Sequence, residues 1–196
     1  MAAISLIELK PLTAENLPAI LELDRLCFGG LWTSEGYQRE FDSDCSDLLG
    51  LFLSSVEGVS SGAGILPASP ARLIGIGCLW AILEEAHITI LGIDPEYRNC
   101  GLGQAMLVGL MTSALGRKLE RATLEVRVSN GAAISLYEKY GFKKAGCRKG
   151  YYQDTGEDGL ILWRGGLHHR EFPEILRGWQ IGVNERLGKN SWSLEF

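Results

Sequence analysis

A glycine-containing segment between a predicted strand and a predicted helix offers the first chemistry in this sequence. The segment runs from Arg98 to Gly103 and reads Arg-Asn-Cys-Gly-Leu-Gly. Glycines at such a junction let backbone N–H groups face a ligand, and the N-terminus of the following helix adds a partial positive charge. This geometry suits a diphosphate, although the same residues could also form a plain tight turn.

The sequence lacks the motifs of two common classes of phosphate-binding protein, so membership of either class is disfavoured. Dinucleotide-binding folds use Gly-x-Gly-x-x-Gly, and NTPases use a loop ending in Gly-Lys-Ser/Thr; neither occurs. A Gly-x-Ser-x-Gly match to the hydrolase elbow at 58–62 lies in a Gly-, Ser-, Ala- and Pro-rich segment, not between a strand and a helix. His168 and His169 are neighbours without metal-ligand spacing, so we expect no metal site.

A strand followed by a helix carries two further polar side chains. In 123–128, apolar residues alternate onto one face and leave Glu125 on the other. The apolar positions are Leu124, Val126 and Val128. Asn130 can cap the next helix, and Tyr137 lies on the apolar side of that helix. From these patterns alone, Glu125 could be an exposed surface residue and Tyr137 a core aromatic.

Together these segments resemble the GNAT superfamily of N-acetyltransferases. The first matches the family's phosphate-binding pattern Arg/Gln-x-x-Gly-x-Gly/Ala. The second resembles the ribosomal-protein alanine N-acetyltransferase branch, the RimI type. Its matching residues are Leu124, Glu125, Val126, Arg127, Asn130, Ala133, Tyr137, Gly141, Phe142, Tyr151 and Tyr152. The resemblance covers residues 4–163 and is most specific over 87–152.

The resemblance implies an enzyme that transfers an acetyl group directly from acetyl-CoA to an amine. In this branch the acceptor is the N-terminal α-amine of a protein, here the N-terminal alanine of a small-subunit ribosomal protein. Glu125 would be the general base and Tyr137 the general acid, with backbone N–H groups near a bulge stabilising the oxyanion. Two alternatives stay open: acetylation of lysine side chains or small amines, and a non-catalytic module that binds acetyl-CoA.

The resemblance also assigns the acetyl-CoA contacts. The pantetheine arm would follow a strand, the pyrophosphate would bind the glycine-containing segment, and Asn130 and Tyr137 would line the groove. The remaining assigned residues are Leu91, Gly92 and Ile93 on the strand, and Arg98, Asn99, Cys100, Gly101, Leu102, Gly103 and Gln104 at the phosphates. Asn99 and Cys100 stand where relatives often carry further basic residues, so the phosphate site relies on Arg98, backbone amides and the helix dipole.

Hydrophobic periodicity predicts a mixed α/β fold with a largely antiparallel sheet. The family adds a strand pair, 87–93 and 122–128, splayed apart to bind acetyl-CoA. Within 87–93, the apolar pattern fits either a β-bulge near Ile90–Leu91 that puts both apolar pairs on one side, or a strand buried on both faces. Helix 103–119 is predicted to be amphipathic. The other predicted elements are strands at 4–9, 48–56, 73–82, 142–148 and 160–163, and helices after Thr13, after Thr33 or Ser34, and after Asn130.

We divide the chain into a GNAT acetyltransferase domain, 1–163, and a C-terminal extension, 164–196. Residues 58–71 are predicted to be a flexible hairpin insertion within the domain. The extension is predicted to be helical around 173–187, with one apolar stripe that packs on the chain's own domain or docks a partner or second copy. The stripe consists of Ile175, Leu176, Trp179, Val183 and Leu187.

The composition indicates which kinds of binding partner and which cellular compartment to expect. The chain has 196 residues, 46% hydrophobic and 22% charged, which is typical of one globular domain. A net charge of −5 argues against direct nucleic-acid binding, and no apolar run reaches the ~18 residues of a membrane span. Five scattered cysteines without Cys-x-x-Cys predict neither disulfides nor zinc, and indicate a reducing, cytoplasmic location. The first residues lack a signal or transit pattern, so we expect a mature N-terminus.

Overall fold

Eight strands among the described residues form one continuous sheet. The computed structural model describes residues 4–56 and 71–195. The strands are β1 (Ile4–Pro11), β2 (Ser46–Val56), β3 (Arg72–Ile82), β4 (Glu85–Ile93), β5 (Arg121–Arg127), β6 (Lys143–Tyr152), β7 (Glu157–Gly165) and β8 (Trp192–Glu195). The α-helices are α1 (Leu17–Phe28), α2 (Ser34–Phe41), α3 (Leu102–Gly116), α4 (Gly131–Lys139) and α5 (Phe172–Gly188).

The sheet is mixed and mostly antiparallel, as the sequence predicts. Its strand order is β6-β7-β5-β4-β3-β2-β1-β8, and the pairs β4–β5 and β1–β8 run parallel. The order of elements from β1 to β7 is the predicted one, whereas the sequence does not predict β8, because so short a strand carries little periodicity. Residues 58–70 of the predicted insertion, with the Gly-x-Ser-x-Gly match, lie outside the described residues.

Helix α3 is the centre of the larger of two hydrophobic cores. It packs on β2, β3 and β4, and α5 covers another side of it. The helix predicted over 103–119 is present, but it is not amphipathic: α3 is buried on nearly every face, and it ends at Gly116. Its buried residues are Leu102, Ala105, Met106, Leu107, Val108, Gly109, Leu110, Met111 and Ala114.

Strand β4 is buried on both faces, the second of the two predicted arrangements, and it also contains a bulge. Cys78 of β3 pairs with Ile90, but the next residue, Leu79, pairs with Ile88, so Thr89 is an extra residue in β4. Ile88 and Ile93 pack into the α3 core, whereas Ile90 packs into the second core, which α1 and α2 cover. The bulge thus lies one residue before the predicted Ile90–Leu91 position, and it does not bring Ile90 onto the face of Ile93.

Two predicted members of apolar stripes are exposed instead. Val128 is 42% exposed, because β5 ends at Arg127 and the chain turns there toward α4. Ile175 is 43% exposed on α5, and Phe172, one turn earlier, is buried in its place. Trp179 does face inward, where its ring meets the Phe172 ring edge-on at 5.8 Å.

The C-terminal residues pack on the rest of the chain through one helix and one strand. Leu176, Val183 and Leu187 of α5 are buried in the α3 core. Strand β8 then pairs in parallel with β1, with Ser5 opposite Trp192 at its start. Among the described residues, no helix combines the length and the hydropathy needed to cross a membrane.

If α5 is part of this core in solution, Leu187→Ala will be strongly destabilising. Leu187 is fully buried, and truncating a buried leucine to alanine lowers the free energy of unfolding by about 2–5 kcal/mol. Ile181→Ala is the matched control on the same helix, because Ile181 is 55% exposed and we expect a change within about 0.5 kcal/mol. Urea unfolding measures both, and equal effects of the two variants would contradict the packing of α5.

Candidate active site

The sheet opens between its two central parallel strands. Strands β4 and β5 pair over four residues, from Glu85 opposite Arg121 to Ile88 opposite Leu124. Beyond that point β5 continues to pair with β7 on its other edge, and β4 continues to pair with β3. We call the gap between 89–93 of β4 and 125–127 of β5 the β4–β5 opening. The backbone groups that line it lack a strand partner on that side, so an amide-containing ligand could hydrogen-bond to them.

The β4 side of the opening is shaped by the bulge and by helix α1. The extra residue Thr89 bends β4 at the point where pairing with β5 stops. Phe28 then packs directly on Gly92: a Cβ added to Gly92 would lie 2.6 Å from the Phe28 ring. A larger residue at this position would displace the Phe28 ring from the strand.

Glu125 is the first residue of β5 beyond the last β4–β5 pair. Its side chain is 9% exposed and lies between two basic groups. His87 Nε2 is 3.4 Å from one carboxylate oxygen, and an Arg148 guanidinium nitrogen is 3.1 Å from the other. A carboxylate this buried requires such partners. Glu125 thus lies on the face opposite Leu124 and Val126, as predicted, but it is not an exposed surface residue.

A hydrogen-bonded chain fixes the orientation of the His87 ring. The Thr123 hydroxyl donates to Glu85 at 2.7 Å and lies 2.9 Å from His87 Nδ1. Because its proton points toward Glu85, the hydroxyl accepts the proton of Nδ1. Nε2 is then the ring nitrogen that can exchange a proton with Glu125. Arg121 completes the chain by donating to Glu85 at 3.1 Å.

An aromatic wall of Trp32, Trp80 and His87 stands beside this chain. Trp32 stacks on Trp80 at 6.3 Å, and the Trp80 ring is 6.2 Å from the His87 ring. Glu40 of α2 accepts the Trp80 indole N–H at 2.6 Å, which fixes the ring plane. The buried carboxylate of Asp24 accepts the backbone N–H groups of Leu31 and Trp32, at 2.8 and 3.0 Å. The loop between α1 and α2 is therefore held against the wall.

Tyr137 lies on α4, with its ring edge-on to Phe142 at 5.7 Å. Burial raises the pKa of Tyr137 above its usual range, and the nearby Tyr152 adds to the effect. Burial also raises the pKa of Tyr152, although the Arg127 guanidinium, 3.9 Å above the Tyr152 ring, opposes the shift. Glu125 is among the charges that act on Tyr152, so Tyr152 lies near both predicted catalytic residues. Among the described residues, no hydrogen bond joins Glu125 directly to Tyr137.

The glycine-containing segment, 98–103, joins the end of β4 to the start of α3. Arg98 Nε donates to the carbonyl oxygen of Ile93 at 3.1 Å, which ties the segment to the strand. Asn99 and Gly101 have positive φ angles of 65° and 99°, and Gly101 is the N-cap of α3. Leu102 is buried in the core, so only its backbone can face a ligand.

The other predicted cofactor contacts come from β4, from α3 and from the N-terminal end of α4. Leu91, Gly92 and Ile93 end β4, and Gln104 lies in the first turn of α3. The Gln104 side-chain oxygen accepts hydrogen bonds from Lys139 at 2.9 Å and Tyr140 at 3.2 Å, which joins α3 to α4. Gly103 lies in the first turn of α3. The Cys100 thiol donates to the Arg98 carbonyl oxygen. The Asn130 side chain caps α4 by accepting the Ala133 N–H.

His87, Arg148 and the aromatic wall are not predicted from the sequence. Alternation along β4 places His87 on the face opposite Ile88, and the pairing of His87 with Thr123 brings it near Glu125. Arg148 comes from β6, which is distant from β4 in sequence, and Trp80 meets His87 only through the register of β3 with β4, so spacing alone gives no signal for either. A separate surface cavity beside β7 and α5, lined by Lys143, Trp163 and His169 among others, contains none of the predicted site residues.

Comparison with known proteins places these features in one family. Residues 17–142 match the acetyltransferase (GNAT) family. A Bacillus subtilis (strain 168) protein, provisionally named ribosomal protein bS18-alanine N-acetyltransferase, is 42% identical over 149 residues, which cover 76% of this chain and 89% of that protein. The Escherichia coli (strain K12) ribosomal protein bS18-alanine N-acetyltransferase is 42% identical over 83 residues, 41% of this chain and 56% of that protein.

Solved structures share the fold. The crystal structure of the ribosomal-protein-S18-alanine N-acetyltransferase from Escherichia coli superposes with a TM-score of 0.66 and 26% identity, over 81% of this chain and 93% of that one. The PaiA N-acetyltransferase from Thermoplasma acidophilum, crystallised with coenzyme A, gives a TM-score of 0.60 at 20% identity, over 81% of this chain and 98% of that one.

Asp24→Asn will loosen the loop beside the aromatic wall. One carboxylate oxygen becomes an NH2 group that cannot accept a backbone N–H, so a buried donor at Leu31 or Trp32 loses its partner. We expect the free energy of unfolding to fall by about 1–3 kcal/mol. Asp44→Asn, on an exposed side chain, is the control and should change it by less than about 0.5 kcal/mol. Urea unfolding that shows no difference between the variants would contradict this role of Asp24.

Proposed function

The chain belongs to the GNAT acetyltransferase family, and we propose that it transfers the acetyl group of acetyl-CoA to the N-terminal alanine of a small-subunit ribosomal protein. The observation that carries this proposal is the 42% identity to the Bacillus subtilis relative, which extends over 89% of that protein. The name of the Escherichia coli relative, ribosomal protein bS18-alanine N-acetyltransferase, supports the same acceptor. Five free cysteines fit the cytoplasm, where such a substrate is made.

The β4–β5 opening fits acetyl-CoA. Its unpaired strand edges offer backbone donors and acceptors to the amides of a pantetheine arm, and the segment 98–103 offers backbone N–H groups and Arg98 to the phosphates. The pantetheine arm would run along Leu91, Gly92 and Ile93. When bound, acetyl-CoA supplies an activated thioester as the acyl donor.

Glu125 is the general base of the proposed reaction. The incoming α-ammonium must lose a proton before its nitrogen can attack, and Glu125 accepts it directly or through a water. A model α-amine has a pKa of about 7.7–8.0, against about 10.4 for lysine, so a modest base suffices for a protein N-terminus. His87 Nε2 lies 3.4 Å from one Glu125 oxygen, and Arg148 holds the carboxylate in place from the other side.

Tyr137 is the proposed general acid. Because burial raises its pKa, the phenol keeps its proton at neutral pH and can donate it to the leaving thiolate. Backbone N–H groups around the Thr89 bulge are the candidates for stabilising the oxyanion that forms as the amine attacks. The aromatic wall of Trp32, Trp80 and His87 and the exposed Leu31 would then form the side from which the peptide enters.

Glu125→Gln and Tyr137→Phe will each lower kcat by about 10²- to 10⁴-fold, the usual contribution of a positioned acid or base. Glu138→Gln, on the exposed neighbour of Tyr137, is the matched control and should leave kcat within about twofold. Steady-state release of CoA measures all three. Wild-type activity in both site variants would remove Glu125 and Tyr137 from their proposed roles.

The pH dependence of the wild-type rate follows from the same assignments. The rate should rise with pH as the acceptor α-amine loses its proton. It should not fall again below about pH 10, the ordinary pKa of tyrosine, because burial raises the pKa of Tyr137 and keeps the acid protonated. A descending limb in the pH profile of kcat/KM near neutral pH would contradict a buried tyrosine as the acid.

A choice of acceptors tests the proposed substrate class. Release of CoA thiol from acetyl-CoA is followed with an Ala-starting peptide, with its Nα-blocked copy containing Lys, and without peptide. We expect release with the free α-amine alone. Release with the blocked Lys peptide would instead establish side-chain acetylation, and tight acetyl-CoA binding without release would favour small amines or a non-catalytic module.

A further inference from the structure

The C-terminal helix reaches the segment 98–103 through Arg186. An Arg186 guanidinium nitrogen donates to the carbonyl oxygen of Asn99 at 3.0 Å. The aliphatic part of the side chain crosses Gly101, since a Cβ at Gly101 would lie 2.9 Å from Arg186 Cδ. Asn190, just beyond α5, lies 3.5 Å from the Cys100 carbonyl oxygen. The extension therefore touches three consecutive residues of the segment.

Arg186 keeps most of its hydrogen-bonding capacity free. The residue is exposed, and the Asn99 carbonyl takes one of several guanidinium N–H groups. Within residues 4–54 and 71–194, no carboxylate forms an ion pair with it, whereas Arg177 on the same helix pairs with Glu174 at 2.7 Å. A cation without a counter-ion beside a phosphate-binding segment is available to an anionic ligand.

A second cation faces the same end of α3 from another element. Lys139 of α4 donates to Gln104 at 2.9 Å, and Tyr140 shares that acceptor. Burial raises the pKa of Tyr140 to about 12, and the positive charge of Arg186 opposes this shift. Arg186, through Asn99, and Lys139, through Gln104, therefore both lie at the N-terminal end of α3.

The segment itself provides little positive charge. Arg98 is its one basic residue, and Asn99 and Cys100 are neutral. Arg98 already donates through Nε to the Ile93 carbonyl oxygen. An arginine brought in by the extension would supply the charge that the segment lacks, and the planar guanidinium matches phosphate oxygens.

We propose that Arg186 binds the phosphate groups of acetyl-CoA, so that the C-terminal extension completes the cofactor site. This inference rests on the proposed acetyl-CoA binding by the segment 98–103. It assigns a binding residue outside the part of the chain that matches the family, residues 17–142. The phosphates concerned are the diphosphate or the 3′-phosphate of the nucleotide.

Four variants distinguish phosphate binding by the Arg186 charge from a role in which Arg186 only anchors the extension to the segment 98–103. Arg186→Gln removes the charge, and Arg186→Lys keeps the charge but loses the planar fork. Asn190→Ala removes the other side-chain contact to the segment without changing charge. Arg177→Gln removes an exposed cation elsewhere on α5. Calorimetric titration with CoA and with 3′-dephospho-CoA gives the dissociation constants.

We expect Arg186→Gln to weaken CoA binding about tenfold, equivalent to about 1.4 kcal/mol, with Arg186→Lys recovering part of the loss. Asn190→Ala and Arg177→Gln should stay within about twofold of wild type. Raising the salt concentration should weaken CoA binding less in Arg186→Gln than in wild type, because one ionic contact is already gone. An anchoring role alone would leave that salt dependence unchanged.

The two ligands identify the phosphate concerned. Equal losses for CoA and 3′-dephospho-CoA support contact with the diphosphate, and a loss for CoA alone supports contact with the 3′-phosphate. The proposal is overturned if Arg186→Gln binds CoA as wild type does, or if Asn190→Ala loses as much affinity with the same salt dependence. Failure of the wild-type protein to bind CoA would instead contradict the proposed function itself.

Discussion

The separation of β4 from β5 after four residue pairs is the constraint on which the rest of the site depends. Central strands of a sheet normally satisfy their backbone groups along their whole length, because an unpaired buried N–H or C=O is costly. Here the extra residue Thr89 bends β4 away, while β5 stays bound to β7. Helix α1 reinforces the bend by packing Phe28 on Gly92. The resulting gap is lined with backbone groups that a ligand can satisfy.

The position of the charged groups around the β4–β5 opening depends on the residue at which the opening begins. Glu125 is the first residue past the last strand pair, so its carboxylate lies at the inner end of the gap and is largely shielded from water. A buried carboxylate is stable only with charged or hydrogen-bonding partners. His87 supplies one from the paired part of β4, and Arg148 supplies the other from β6. The Glu125 carboxylate is thus held by the two strands that border the opening and by a third that lies beyond β7.

Local sequence patterns predict much of this fold, and long-range pairing explains what they miss. The alternation around Glu125 and the cap at Asn130 depend on near neighbours, and both appear in the structure as predicted. The position of the bulge at Thr89 depends on the register with β3, which the apolar pattern of β4 does not specify. Helix α3 is buried on nearly every face because α5 covers it. The hydrophobic periodicity within 103–119 cannot predict a contact with a helix that is distant in sequence. His87 and Arg148 can be recognised as neighbours of Glu125 only once β4, β5, β7 and β6 are aligned.

A crystal structure of the protein with CoA tests the central claim most directly. We expect the pantetheine arm to lie between residues 89–93 of β4 and 125–127 of β5, with the thiol near Glu125 and the phosphates at 98–103. Its amides should bond to the backbone groups that β4 and β5 leave free. CoA bound elsewhere, for example in the cavity lined by Trp163 and His169, or strands that close over the gap, would contradict the account.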